Sequence, residues 1–179
     1  MGFEEEIQEC RRRHGRIATE RAFIHYEAGA LRWRLVEFAN LMSDQPALTT
    51  RAHLLAARSR INRDLAELRI RIRLRCRRTD ELLDLANTCL VASKRQPVEA
   101  PLVEAQPVWR LRCSLRMDSD DWRHRVTQAL DALVACDEAH TRVLDLCMDR
   151  LECACESKRL PQLATDHSTS AATPEHADP

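Results

Sequence analysis

Two pairs of residues in this chain have the spacing of metal ligands: Cys10–His14 and Cys136–His140. Each is a Cys-x-x-x-His pair, and on a helix the i,i+4 spacing puts both side chains on one face. Two such pairs from packed helices would supply a tetrahedral Cys₂His₂ zinc site. Cys153 and Cys155 add a Cys-x-Cys, but no Cys-x-x-Cys occurs anywhere. The competing reading is that Cys10 and Cys136 are small buried hydrophobes beside partly buried histidines. That reading is preferred, so no metal and no cofactor is expected. Covalent catalysis needs a nucleophile poised by a base on a rigid turn. His53, His124 and His140 instead fall within long helical patterns, and paired carboxylates occur only as surface charge, so no catalytic residues and no enzyme activity are expected.

The remaining chemistry is electrostatic. Residues 51–78 hold ten arginines against Asp64 and Glu67, whereas residues 118–156 hold ten acidic residues against four arginines. An arginine-rich helix suits phosphate, an RNA backbone or a nuclear-import receptor, the last together with Arg11-Arg12-Arg13. Aromatic side chains for base stacking are missing from the basic segment. The two charged segments can pair with each other, which makes nucleic acid the weaker expectation.

The elements that carry these residues are read from proline and heptads. Prolines at 46, at 97, 101 and 107, and from 161 onward leave three long proline-free blocks. In the first, Phe3, Cys10, Ile17, Ile24, Leu31 and Phe38 recur every seven residues. Ile7, His14, Arg21, Ala28, Leu35 and Met42 interleave with them, giving the 4-3 alternation of a coiled-coil seam. A helix over about 3–42 is predicted. Asp44-Gln45-Pro46 marks a turn, and Thr49 or Thr50 is placed to cap a second helix over about 50–93, whose seam runs through Leu54, Ile61, Leu65 and Leu68. Within it, Arg69 to Arg77 alternates with period two, as a strand would. Helix is preferred there because helical pattern flanks it and Glu67–Arg71 and Arg77–Glu81 form i,i+4 pairs.

Residues 94–107 read as a proline-broken linker. Trp109, Leu111, Cys113, Leu115 and Met117 alternate with polar residues, which predicts a short strand at 108–117. The acidic cluster Asp118-Ser119-Asp120-Asp121 starts a third helix to about 157. The segment 161–179 is Ser/Thr/Ala/Pro-rich and expected to be a disordered tail.

The predicted fold class is thus all-α: a long helical hairpin (1–93) or small bundle with coiled-coil-like packing, then a C-terminal helical region (108–160). Only three glycines, none after Gly29, exclude a glycine-rich phosphate loop or a nucleophile elbow from the last 150 residues. Eight cysteines without a secretion signal point to reduced thiols in the cytosol or nucleus. No apolar run approaches the ~18 residues needed to span a bilayer, so membrane insertion is not expected.

The stretch from Arg11 to about Arg78 resembles the herpesvirus unique-long-fourteen-like tegument proteins. The resemblance rests on Arg11-Arg12-Arg13, Arg21-Ala22-Phe23-Ile24, the Asp44-Gln45-Pro46 break, and Ala52-His53-Leu54 opening an arginine-studded helix. The family's usual Asp-Pro break is here Asp-Gln-Pro, and nothing after Pro97 takes part. The excess of arginine over lysine, 26 to 2, fits a GC-rich genome of that kind. The resemblance implies a minor virion tegument protein, present in host cytoplasm and nucleus, chaperone-like and without catalytic residues. It implies a part in nuclear delivery of viral proteins and capsids and in envelopment through other tegument or capsid proteins. The expected interaction surface, open also to a second copy of the chain, comprises Arg21, Ile24, Leu31, Leu35, Phe38, His53, Leu54, Ile61, Leu65, Leu68, Arg71, Arg73 and Arg75. A cellular coiled-coil adaptor and an arginine-rich nucleic-acid-binding protein are the alternatives.

Overall fold

The computed structural model describes residues 2–43, 51–101 and 118–166, with side chains up to Ser157. Its regular elements are three long α-helices: α1 (Phe3–Ser43), α2 (Arg51–Ala92) and α3 (Ser119–Asp166). Among the described residues there is no strand. The turn at 44–46, the caps at Thr49 and Thr50 and the strand expected at 108–117 lie outside them, as do the linker beyond Pro101 and the tail from 167 on.

The heptad seam of α1 is its buried face. Ile7, Cys10, Ile17, Ile24, Ala28, Leu31, Leu35 and Phe38 are all buried, at the 3- and 4-residue steps that keep one stripe of a helix facing inward. In α2 the corresponding row passes straight through the run of alternating arginines. Leu68, Ile72, Arg75, Cys76, Thr79, Leu82 and Leu83 are buried, while Ile70 is 61% exposed and Leu74 49%. Helical spacing therefore prevails over the period-two pattern, at the cost of leaving two apolar side chains in solvent.

Helix α3 opens as its acidic cluster requires. The Asp118 side chain accepts a hydrogen bond from the Asp120 backbone N–H at 3.1 Å, capping one of the donors that a helix start leaves free. Asp120 and Asp121 sit in the first turn, where the helix dipole favours negative charge. At the other end the sequence places a stop before Pro161, and the structure corrects it: α3 continues to Asp166. Proline removes one backbone donor there, but good helix formers stand on both sides of it, from Lys158 to Leu160 and from Gln162 to Ala164.

Helix α2 is central and packs along both neighbours, whereas α1 and α3 meet more sparingly. The order of contacts fixes the directions. Asn62 meets Trp122, Arg75 meets Asp137 and Asn87 meets Cys147, a nearly constant offset of 60 to 62 residues, so α2 and α3 run parallel. Arg11 meets Glu152 and Arg32 meets Asp131, so α1 runs antiparallel to α3. All three helices share one continuous stack of side chains. The boundaries at 93 and 108 therefore separate segments of chain and not independent cores.

That stack has two apolar halves. One gathers Ile24 to Phe38, Ile61 to Ile72 and Trp122 to Val134. There the Phe38 and Trp122 rings pack edge to face at 5.0 Å, and the Arg58 guanidinium lies 4.8 Å from the Trp122 ring. The Trp122 indole N–H donates to Asn62 at 3.1 Å. The second half gathers Ile7, Cys10, Leu82 to Leu90 and Leu144 to Ala154.

Helix α2 ends in a Schellman motif. Lys94 is left-handed at φ 61°, Arg95 N–H donates to Leu90 C=O and Lys94 N–H to Val91 C=O, both at 2.9 Å. The chain then folds back. Asn87 exchanges two 2.8 Å hydrogen bonds with the Val98 backbone and seats Val98 on the second apolar half.

Candidate functional site

The residues expected to face a partner separate into three groups. Ile24, Leu31, Leu35, Phe38, Ile61, Leu65 and Leu68 are buried in the chain's own core, and Leu54 packs against it. This corrects the expected interaction surface, because α3 occupies the seam that a partner helix was expected to fill. Arg75, expected to make partner contacts, is also interior, at 1% exposure. Arg21 is half-buried, and only His53, Arg71 and Arg73 stand in solvent.

A second stripe on α1 does face solvent. Phe23, Tyr26 and Trp33 are 54%, 74% and 65% exposed. At about 100° per residue the three fall within roughly a quarter of the helix circumference, well away from the buried seam. Trp33 is held by its indole N–H, which donates to Glu37 at 3.0 Å. Beside this stripe, α1 and α2 enclose an open groove of about 640 Å³ lined by Phe23, Ile24 and Leu74, with Arg16, Arg71 and Arg78 at its rim. The Arg71 guanidinium lies 5.4 Å from the Phe23 ring and 3.4 Å from Glu27, so it braces the groove wall. Exposed Ile70 continues the apolar surface along α2. Contiguous exposed apolar surface edged by charge is the composition of a protein-docking face. The sequence carries the signal in its i, i+3, i+10 aromatic spacing, which the stronger seam on the other face obscures.

Charges pair differently from the expectation. Two arginines of α2 meet α1, Arg71 on Glu27 and Arg78 on Glu20, and Asp64 of α2 takes Arg34. The acids of α3 likewise reach α1, with Asp131 on Arg32, Asp145 on His14, and Glu152 accepting from Arg11 Nε and Nη2, each at 2.7 Å. Of the acidic partners expected for the basic helix, Asp137 is the one that meets it.

Where the two apolar halves join, the core turns polar. Arg75 pairs with Asp137, donates to the Thr141 hydroxyl at 2.9 Å, and donates through Nε to the Ile17 carbonyl at 3.3 Å. One helix thus ties to both neighbours through a single guanidinium, whose planar fork suits several acceptors at once. The thiols lie in the same layer. Cys136 Sγ is 3.9 Å from His140 Nδ1, and the other ring nitrogen of His140 is 3.5 Å from Asp80. The Cys76 and Cys136 sulfurs lie within 4.8 Å, and their interaction lowers the Cys136 pKa and raises that of Cys76. The contact with Cys136 raises the His140 pKa against the opposing effect of burial.

The Cys₂His₂ combination conceived from sequence is not formed. His14 turns to Asp145 at 3.2 Å, and Cys10 lies beside Cys89 in the second apolar half, where burial pushes its thiol up to about 12. Among the described residues all seven cysteines are free thiols.

Among the described residues, fold and surface together define an all-α arrangement of three long helices around a shared core, with an apolar groove between α1 and α2. Comparison with protein-family models, with curated proteins and with solved structures found no match to this chain. No described helix is long and apolar enough to cross a membrane.

Proposed function

We propose that this chain is a non-enzymatic protein-interaction factor that binds its partner on the outer α1–α2 face. The observation that carries the reading is the exposed stripe of Phe23, Tyr26 and Trp33 beside the Leu74 groove, on the face of α1 opposite its buried seam. Large aromatics in solvent supply contact area at little entropic cost, and arginine is the charged residue favoured at such faces. The apolar floor of Phe23, Ile24 and Leu74 between charged rims fits the apolar face of an amphipathic helix. A second copy of the chain is the other occupant that this face would accept.

The biological setting proposed is the virion tegument. The resemblance covers the two helices that build the groove, and a chaperone-like factor for tegument and capsid proteins needs an apolar face of this kind. Host cytoplasm and nucleus are its proposed compartments, with roles in nuclear delivery and in virion assembly and envelopment. Nucleic acid is the less favoured ligand, since Arg71, Arg75, Arg77 and Arg78 already hold carboxylates.

The test is a Phe23→Ser/Tyr26→Ser/Trp33→Ser variant. All three side chains are outside the core, so helicity is expected to be unchanged. Affinity for purified tegument or capsid partners, or self-association in sedimentation, is expected to fall more than about tenfold, as loss of aromatic anchors does. Undiminished association by the folded variant would reject the groove as the docking face. Tight RNA binding that weakens steeply with salt would replace the proposal with the nucleic-acid reading.

A further inference from the structure

The two helices that run parallel bring two matched i,i+4 pairs to the same level: Cys76 and Asp80 on α2, Cys136 and His140 on α3. Cys76 Sγ, Cys136 Sγ and a ring nitrogen of His140 lie within 4.8 Å of one another, and all three residues are buried. Zinc bound to sulfur at ~2.3 Å and to nitrogen at ~2.0–2.1 Å in a tetrahedron separates its ligand atoms by roughly 3.5–3.8 Å. The 3.9 Å between Cys136 Sγ and His140 Nδ1 is close to such an edge already. With every edge within 4.8 Å, closing to such a tetrahedron takes at most about 1 Å, within reach of small side-chain rotations.

The surroundings fit a metal as well as the ligands do. His140 Nδ1 lies 3.0 Å from the Cys136 carbonyl, a contact the ion would replace. With Nδ1 on the ion, the Nε2–H faces Asp80 across 3.5 Å, the carboxylate–histidine arrangement that orients metal-bound imidazoles. Asp80 is itself half-exposed and gives the buried ligands a polar edge toward solvent. In the same layer the Thr79 hydroxyl and one carboxylate oxygen of Asp137 are buried without a hydrogen-bond partner among the described residues, so the layer holds polar capacity that the protein's own contacts do not use.

We infer that Cys76, Cys136 and His140 form a soft-ligand metal site, selective for zinc, that clamps α2 to α3. Two thiolates and a neutral imidazole balance a divalent cation, so the buried site carries no net charge. Binding releases the two thiol protons to solvent, and the fourth position is taken by water. Thiolate ligands exclude magnesium and calcium and favour zinc over harder ions. The site is separate from the docking groove, and neither depends on the other.

The experiment uses the full chain, reduced and loaded with zinc, then dialysed and assayed for metal content. Cobalt(II) titration follows in parallel, since thiolate ligation gives intense charge-transfer absorption. One equivalent of zinc per chain and one equivalent of thiolate-bound cobalt are expected, both lost in Cys136→Ala and Cys76→Ala. Cys89→Ala, in the other thiol cluster, is expected to keep them. Asp80→Asn alters only a half-exposed side chain and so tests the site without disturbing the core. It is expected to weaken zinc by about 10- to 100-fold, as loss of an outer carboxylate does. Folded wild-type protein that gives no cobalt–thiolate absorption overturns the inference. So does zinc that survives both cysteine substitutions, zinc affinity unchanged in Asp80→Asn, or peptide mapping that finds Cys76 and Cys136 joined as a disulfide in the cell.

Discussion

Replacing Arg75 by methionine removes the cation that ties α2 to both neighbouring helices, and its consequence follows from what that guanidinium touches. Asp137 is 1% exposed and would be left charged and buried, while the Thr141 hydroxyl would lose its 2.9 Å donor. Breaking a buried ion pair by deleting one partner costs about 3–5 kcal/mol, because the surviving charge is stranded. For a chain of this length each kcal/mol moves the melting midpoint by roughly 2–4 °C, so Arg75→Met is expected to lower it by about 6–20 °C. Removing both charges has the opposite logic. Only one Asp137 carboxylate oxygen is engaged, so the pair recovers its desolvation penalty incompletely, and Arg75→Met/Asp137→Leu is expected to regain most or all of the loss. Urea unfolding of wild type, both single variants and the double variant closes a double-mutant cycle. Additive costs, or an Arg75→Met cost below about 1 kcal/mol, would refute the burial and pairing on which this rests. The same reasoning dictates that any test of the surface arginines by neutralisation leave Arg75 intact.

Lys94→Gly removes a side chain from a left-handed position and is expected to stabilise by about 1 kcal/mol, read as a shift in the urea midpoint at constant slope. Gly15→Ala and Gly29→Ala are each expected to stabilise by up to about 1 kcal/mol, since an added Cβ meets nothing within 4 Å at either position and alanine is the better helix former. A thermal midpoint that fails to rise in the double variant would contradict an uninterrupted α1. Stability is expected to fall above pH 9. Burial raises the Cys10 pKa from 9.0 to about 12, so the unfolded chain loses that proton first and the contribution present below pH 9 is lost as pH climbs toward 12. Cys89 and Cys147 shift in the same direction for the same reason. Unfolding curves between pH 8 and 10.5 should show the decline, and Cys10→Ala should reduce its slope; an unchanged slope would count against thiol burial as the cause.

The helices were legible in the sequence because apolar spacing is a local property. Ile17, Ile24, Leu31 and Phe38 announce a buried stripe without reference to anything else in the chain. Arg75 shows where that reading stops. It stands at a seam position, three residues after Ile72, but its charge suggests solvent, and only the position of Asp137 on α3 explains its burial. Register between helices is likewise absent from any local pattern. Cys136–His140 was visible as a pair, yet that Cys76 and not Cys10 completes it follows from α2 and α3 lying parallel at an offset near 60 residues. The seam residues expected to face a partner proved interior for a related reason. A heptad seam states that a surface will be covered, and does not state whether the covering helix belongs to the same chain.

The parallel course of α2 and α3 bears on how the protein reaches this state. Helices α1 and α2 are antiparallel neighbours joined by a short connection, so their contacts are close in sequence and can form early. Helix α3 cannot zip onto α2 from a turn in the same way. Trp122 has to find Asn62 at the far end of α2 from Ala92, where that helix leaves off. Closing that longer loop comes before any contact rewards it. A chain emerging from the ribosome will therefore hold an α1–α2 hairpin first, its Phe38, Ile61 and Leu65 trough open until the third helix has been made. During that interval the nascent protein is itself a client for the kind of apolar protection it is proposed to give others.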